Sequence, residues 1–301
     1  MASSTFKLFL ILVILVSVSL SACTSVGGLS LIPATQTPTS TPTASPTPTA
    51  TPVPLAVSVN GKGIPVPEFE AELARYQQAQ TALGNTVSPE TARKTVSDEL
   101  VNVLLLAQGA AEKGYVVDDA KLQSRVDALA AQIGGMEDLK TWQKAHGYTD
   151  ADFRADLRRQ MATAYMRDQI SVSVPVSTEQ VHVKQILLYN EAAAKQALGY
   201  LKAGWKFNDL AAQYDPLTKG ELGWFPRGYL PDQAIEEAAF ALQTGQYSDI
   251  IQTQAGYDIL FLVERSPARP LSPDALLTLQ EHALQTWLTQ RRNESSIVIA
   301  P

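Results

Sequence analysis

Residues 181–264 form the part of this sequence whose residue types and spacing can support chemistry as well as packing. The stretch begins with VHVKQILL (residues 181–188), which alternates like a β-strand, and it ends near GYDI (residues 256–259). Gln185 and Asp258 can form an amide–carboxylate hydrogen bond if their strands are neighbours. A buried carboxylate without a partner is costly, so we predict that Asp258 is either hydrogen-bonded or hydrated.

The elements that must position these residues follow in a definite order. Two short helical patterns come after the first strand, and GELGWF (residues 220–225) follows them. A third helix contains IEEAAFAL (residues 235–242), and a hairpin is expected at residues 253–256. The order is therefore strand, helix, helix, strand, helix, hairpin.

This order, with GELGWF, AAFAL and GYDI, resembles the parvulin family of peptidyl-prolyl isomerases. The resemblance implies a domain over residues 177–266, built as an antiparallel sheet flanked by helices. It also implies rotation of the peptide bond before proline, with no metal and no cofactor.

Rotation of an amide bond requires little covalent chemistry from a catalyst. The barrier is about 18–20 kcal/mol, and the twisted transition state has lost the amide resonance. A catalyst therefore needs an apolar pocket for the proline ring and a few hydrogen-bonding groups that fit the twisted amide better than the planar one. The resemblance places that pocket at Leu222, Leu230 and Ile235. Ordinary core packing is the alternative for these three residues, and Phe240 and Leu242 are assigned to the core.

The resemblance assigns the polar positions of the site less directly. The two histidines of the family fall on Gln185 and Asp258, its acidic or cysteine residue falls on Asp215 in a shortened loop, and its hydroxyl falls on Thr253. His182 lies by strand alternation on the face opposite Gln185, so we do not expect it to replace the missing imidazole.

Two main functions follow from this pattern. The first is an isomerase that assists the folding of exported polypeptides, and the second is a peptide-binding chaperone, or holdase, whose isomerase domain has lost most of its turnover. A third possibility is a scaffold in which both lobes serve only assembly. Lys219 and Arg227 are not clustered with other basic residues, so we expect no specificity for phosphoproteins.

The N-terminus predicts export and a lipid anchor. A net charge of −6 provides no field for nucleic acid. Lys7 precedes an apolar run over residues 8–20, which is too short to span a bilayer, so residues 1–22 are predicted to be a signal peptide. LSAC (residues 20–23) resembles the lipobox of bacterial lipoproteins, in which the cysteine is acylated. Cys23 is the only cysteine of the chain, so no disulfide can form within it. We therefore expect an extracytoplasmic protein that is anchored to the bacterial membrane.

Residues 23–54 are predicted to be the lipidated cysteine followed by a linker. Pro, Thr, Ala and Ser dominate this segment, which favours an extended spacer at about 3.1 Å per residue. The density of Thr and Ser also permits O-glycosylation, although a bare spacer explains the composition equally well.

Residues 55–176 are predicted to form a helical lobe that begins with a short strand. Ser88, Asp118 and Thr149 each precede a helical pattern and are expected to cap it. The strand with VNG (residues 59–61) and LLLAQGAAEKGYVVDDAKL (residues 104–122) resembles the N-terminal chaperone lobe of SurA-type and PrsA-type foldases. The last helix is expected to bury Phe153, Leu157, Met161 and Tyr165.

The aromatic residues Tyr76, Trp142 and Tyr148 of this lobe either line a groove for unfolded peptide or belong to its core. The apolar stripes of its helices contain no charged residue, which indicates no catalytic role for the lobe.

Residues 267–301 are predicted to return to that lobe. Ser272 precedes Pro273, which marks a helix start, and Ile297, Val298 and Ile299 form a strand too short to be stable alone. In the resembled foldases this segment rejoins the first lobe. We predict that the last strand pairs with residues 56–59, so that the isomerase domain is an insertion into the helical lobe.

Overall fold

The computed structural model describes residues 53–300 and has the α+β fold that the sequence predicts. The first part comprises β1 (Leu55–Val59), β2 (Lys62–Pro65), α1 (Val66–Ala82), α2 (Pro89–Glu112), α3 (Asp119–Gln132), α4 (Met136–Ala145) and α5 (Asp150–Ser173). The second comprises β3 (Ser177–Leu188), α6 (Glu191–Lys202), α7 (Phe207–Tyr214), β4 (Glu221–Pro226), α8 (Gln233–Ala241), β5 (Ile251–Gln252) and β6 (Tyr257–Pro270). The chain continues with α9 (Pro273–Glu294) and β7 (Ile297–Ile299). Cys23 and the predicted signal peptide lie outside the described residues.

Helix starts were predicted correctly because they depend on local chemistry. The side chains of Ser88, Asp118, Thr149 and Ser272 each accept a hydrogen bond from a backbone N–H in the first turn of α2, α3, α5 and α9. Each cap satisfies a donor that has no partner within the helix and contributes about 1 kcal/mol.

The C-terminal segment returns to the helical lobe, as predicted. β7 pairs antiparallel with β1, joining Val57 to Ile299 and Val59 to Ile297, and the three strands are ordered β2-β1-β7. α9 packs against α2 and α5. Its Trp287 lies so close to Gly109 of α2 that a Cβ at Gly109 would be 2.7 Å from the indole ring. The return is therefore held by a strand pair and by a close helix crossing.

The buried face of α5 differs from the predicted stripe. Phe153 is buried, but the other buried residues of this helix are Thr163, Met166 and Ile170, because α5 contacts α2, α3, α4 and α9 on different sides. Partly buried charges also lie on it. Arg159 forms an ion pair with Glu68 of α1, in which the two side chains are 18% and 14% exposed. The lobe therefore contains a partly buried ion pair, which the uncharged apolar stripes of its helices do not reveal.

The aromatic residues of the lobe belong mainly to its packing. Trp142 and Tyr148 pack against a buried cluster of α3, α4 and α5 that includes Leu139 and Phe153. Tyr76 packs against the larger core that surrounds the three-stranded sheet. These contacts favour the core interpretation over an open peptide groove.

The second sheet has the order β4-β3-β6-β5 and is antiparallel throughout. One of its faces packs on α6 and α7 through Ile186, Leu188 and Ile259. The other face packs on α8 through a separate cluster, whose strand residues are Val181, Val183, Phe225, Leu260 and Leu262. Because alternate side chains point to opposite faces, one strand supplies two distinct cores.

Candidate functional site

Gln185, Asp258 and the three predicted pocket residues lie on the face of the sheet that packs on α8. In the β3–β6 pair, Gln185 lies opposite Leu260 and Leu187 lies opposite Asp258. Gln185 and Asp258 are therefore diagonal neighbours on one face, two residues apart in register. Diagonal neighbours have Cα atoms about 7–8 Å apart, a separation that long side chains can bridge and short ones cannot.

Asp258 has a partner, but the partner is not the one the sequence suggested. The Thr253 hydroxyl, at the hairpin between β5 and β6, donates a hydrogen bond of 3.1 Å to Asp258 Oδ2. Within residues 53–300 no hydrogen bond joins Asp258 to Gln185, so the amide–carboxylate bond that the sequence allows is not formed. The choice between a paired and a hydrated Asp258 is decided in favour of the paired one.

The Asp258 carboxyl is an unusual group for its surroundings. The residue is only 3% exposed. Burial raises the pKa of Asp258, the hydrogen bond from Thr253 opposes that rise, and the nearby charge of Asp232 adds to it. The structure therefore favours the neutral acid of Asp258 more than water does.

The three predicted pocket residues belong to one apolar cluster. Leu222 lies where β4 bulges against β3, Leu230 lies in the loop before α8, and Ile235 lies in the first turn of α8. Ile235 is buried, whereas Leu222 and Leu230 are only partly buried. Partial exposure leaves these two side chains apolar surface that a ligand can contact.

The apolar cluster and the hydrogen-bonded pair of Thr253 and Asp258 lie next to each other at the edge of the sheet. Ile251 of β5 packs against the same cluster as Leu222 and Leu230, and it lies directly opposite Asp258 in the β5–β6 pair. The apolar cluster thus adjoins a nearly buried acid and its hydroxyl partner. Phe240 and Leu242 belong to the core beneath this cluster, as predicted.

Asp215 has a different environment from Asp258. Its carboxylate accepts hydrogen bonds from the hydroxyl of Thr218 and from the backbone N–H groups of Leu217, Thr218 and Gly220. These bonds, led by that of the Thr218 hydroxyl, lower the pKa of Asp215. The carboxylate therefore shapes the loop that follows α7.

That loop is joined to the backbone of β3 at Gln185. The Gln185 N–H donates to the Gly220 carbonyl at 2.7 Å. Gly220 has a φ of +72°, and a Cβ there would lie 2.1 Å from the Gln185 carbonyl oxygen. Only glycine fits this contact. The N–H of the same Gly220 donates to the Asp215 carboxylate, so Asp215 is linked to Gln185 through the backbone of the loop.

His182 takes no part in this arrangement, as the alternation of the strand predicts. Its ring stacks on Trp224 with centroids 5.4 Å apart, and its Nε2 is in contact with Glu221. Both partners of the histidine are thus on β4.

Glu236 was not predicted from the sequence to belong to the site. This residue lies in the first turn of α8, and its carboxylate accepts hydrogen bonds from the backbone of the preceding loop. The signal was an acidic residue at a helix N-terminus, which is too common to indicate a role by itself.

Comparison with known proteins gives this geometry its context. Residues 2–167 match the model of the SurA-like N-terminal domain, which is more than half of the chain, and residues 158–276 match that of the PPIC-type PPIase domain. The foldase protein PrsA 2 of Bacillus anthracis is 30% identical over 205 residues, which cover 63% of this chain and 70% of the relative. This chain belongs to the family of SurA-like and PrsA-like foldases.

Other members of the SurA/PrsA-like family show the same relationship. The foldase protein PrsA of Bacillus subtilis is 26% identical over 233 residues, covering 73% of this chain and 76% of that protein. The chaperone SurA of Methylobacillus flagellatus is 27% identical over 208 residues, covering 58% of this chain and 47% of that protein. The chain thus combines the SurA-like N-terminal domain with a parvulin domain of the PPIC type.

Proposed function

We propose that this protein is a peptidyl-prolyl cis–trans isomerase that helps exported polypeptides to fold. The observation that carries the proposal is the apolar cluster with Leu222, Leu230 and Ile235, which adjoins Asp258 and Thr253 on one face of the sheet. Its match to the PPIC-type PPIase domain supports the same reaction. The substrates would be unfolded or partly folded chains that contain X–Pro bonds.

The arrangement suits rotation of an amide bond better than bond cleavage. Leu222, Leu230 and Ile235 would hold the proline ring in a water-poor environment. The twisted amide is less polar than the planar one, and a pocket that favours an uncharged Asp258 imposes little charge on it. Thr253, Gln185 and Asp258 would serve as hydrogen-bonding groups, while Asp215 would fix the loop next to Gln185.

The test is exchange NMR on a panel of short X–Pro peptides with the wild-type protein and with Leu230→Ala. Loss of a leucine from the pocket should lower kcat/KM about ten-fold. Leu217→Ala is the matched control, because Leu217 is 93% exposed in the loop after α7, and it should leave the rate unchanged. Equal rates for Leu230→Ala and wild type would reject this pocket.

A holdase is the second candidate, and specific residues favour it. Gln185 and Asp258 stand where the resembled family has histidines, and the Asp215 carboxylate is occupied by its own loop. A holdase would suppress aggregation of an unfolded client without accelerating exchange in any X–Pro peptide. Acceleration that decreases in Leu230→Ala would instead establish the isomerase.

We further propose that the protein is extracytoplasmic and lipid-anchored at Cys23, with a Pro/Thr-rich linker between the anchor and the folded part. Within residues 53–300, no helix is long and apolar enough to cross a bilayer. Cells that produce the wild type should incorporate radiolabelled fatty acid into it, whereas Cys23→Ala should incorporate none. Equal labelling of the two would reject the anchor.

The proposed domain boundaries follow the return of the chain. Residues 55–176 and 267–301 would form the chaperone-like lobe, and residues 177–266 would form an inserted isomerase domain. The β1–β7 pair and the packing of α9 on α2 and α5 support this division. Production of residues 177–266 alone, followed by a cooperative unfolding measurement, tests whether the insertion is an independent unit.

A further inference from the structure

A single carboxylate holds the loop that leads into α8. Glu236 accepts hydrogen bonds from three consecutive backbone N–H groups, those of Gly228 at 2.7 Å, Tyr229 at 3.1 Å and Leu230 at 3.3 Å. Successive N–H groups that converge on one anion form a strong and directional arrangement.

The same loop carries one wall of the proposed proline pocket. Leu230 packs against the apolar cluster from this loop, and the loop has no strand ladder of its own. Gly228 has a φ of +78°, and a Cβ there would lie 3.2 Å from Leu279 of α9. The loop therefore lies between Glu236 on one side and α9 of the helical lobe on the other.

We propose that Glu236 is a positioning residue for the isomerase reaction, which acts by fixing Leu230 in the wall of the proline pocket. The inference rests on the proposed function of that pocket. Glu236 itself contacts the loop backbone, so it acts through Leu230 and not on the substrate.

A carboxylate is the group that this loop requires. An ionised glutamate has two acceptor oxygens and no donor, so it can satisfy three N–H groups at once. A glutamine has one acceptor oxygen, and its NH2 group would face a backbone donor. Glu236→Gln should therefore release part of the loop, and a displacement of Leu230 by about 1 Å should lower kcat/KM about ten-fold or more.

The experiment is a double-mutant cycle on the full chain, with exchange NMR of one X–Pro peptide as the readout. It compares wild type, Glu236→Gln, Leu230→Ala and the double variant. Glu237→Gln is the matched control, because this exposed neighbour on α8 bonds only to the side chain of Gln233 among the described residues. We expect a loss of about ten-fold for Glu236→Gln and none for Glu237→Gln. The double variant should be no slower than Leu230→Ala alone.

Two results would overturn the inference while leaving the isomerase intact. One is a wild-type rate in Glu236→Gln. The other is a double variant whose loss is the product of the two single losses, because independent effects add as free energies. Thermal unfolding of each variant separates a local effect from a loss of fold. If Glu236→Gln does not fold, Glu236→Asp, which keeps the charge but reaches less far, replaces it in the same cycle.

A wild type that accelerates no peptide would reject the proposed isomerase, and the cycle would then be measured as peptide affinity. Weaker binding by Glu236→Gln, but not by Glu237→Gln, would support positioning of Leu230 in a binding groove. Equal affinities would overturn it, as would a wild type that binds no peptide.

Discussion

The helical lobe and the isomerase domain both contain buried or partly buried carboxyl groups, but the partners of these groups differ. In the lobe, Glu68 and Asp156 lie beside Arg159, which forms ion pairs with both. In the isomerase domain, Asp258 has a hydroxyl donor and forms no ion pair with any residue of 53–300, and the charge of Asp232 nearby opposes its ionisation. A buried carboxylate that is paired with an arginine is typical of structural packing. A buried acid without a neighbouring cation, beside an apolar cluster, is more typical of a functional site.

The largest loss of stability is expected when Arg159, the cation beside the two carboxylates of the lobe, is replaced. Burial raises the pKa of Glu68 and of Asp156, and Arg159 counteracts both rises. Arg159→Met should lower the free energy of unfolding by about 3 kcal/mol at pH 7, because two carboxylates would remain without their cation. Chemical denaturation measures this loss.

The control and the pH dependence make the Arg159 test specific. Arg158→Met removes an exposed arginine on the same helix, whose partner Asp119 is 97% exposed, and should change stability by less than about 0.5 kcal/mol. Without Arg159 the folded pKa values of both acids lie further above the unfolded ones. The loss should therefore shrink as the pH falls toward about 4, and a loss independent of pH would argue against the charges as its cause.

A smaller effect is expected when Asp258 loses its hydroxyl donor. Thr253→Val keeps the shape of the side chain and removes the hydrogen bond to Asp258 Oδ2. Stability at pH 7 should fall by about 1.5 kcal/mol, because the bond is to a buried carboxyl group. Thr253→Ser, which retains the hydroxyl, is the control and should lose less; equal losses would assign the effect to the methyl group.

The smallest expected change is a gain in stability, on removal of the Asp258 charge. The pKa of Asp258 in the folded protein is raised above its unfolded value of 3.8. The free energy of unfolding should therefore decrease as the pH rises from 3.8 through the folded pKa. Asp258→Asn still accepts from Thr253 but carries no charge, so it should be more stable than wild type at pH 7, by a margin that shrinks as the pH falls toward 3.8. Asp249→Asn, at an exposed neighbouring site, should change stability by less than about 0.5 kcal/mol. Equal stability of Asp258→Asn and wild type across pH 4–8 would contradict the contrast between the two regions.

The sequence predicts those features of this protein that depend on local chemistry. The caps at Ser88, Asp118, Thr149 and Ser272 each need only a hydroxyl or carboxylate beside a helix start, and all four are present. The order of elements in the isomerase domain follows from short motifs, whereas the grouping of its pocket residues was predicted from the family resemblance. The β1–β7 pair was predicted from the family resemblance, since three apolar residues at a C-terminus do not specify a partner.

Features that depend on distant neighbours could not be predicted. Arg159 and Glu68 are 91 residues apart, and nothing local to either residue indicates the other. Gln185 and Asp258 are offset by two residues of register, and strand alternation alone does not determine that offset. Asp215 was predicted to lie in a loop after the second helix, as it does, but the hydrogen bonds that occupy its carboxylate depend on the conformation of the whole turn.

The pairing of β1 with β7 also sets the order in which the protein can fold. Asn60, just after β1, accepts a hydrogen bond from the backbone of Ser296, which is 236 residues away. β1 is the middle strand of its sheet, so that sheet is incomplete until residue 299 has been synthesised. The strands of residues 177–270 pair among themselves and close a much shorter loop. Their pairing therefore costs less loop-closure entropy, and we expect it to precede the closing of the β1–β7 pair.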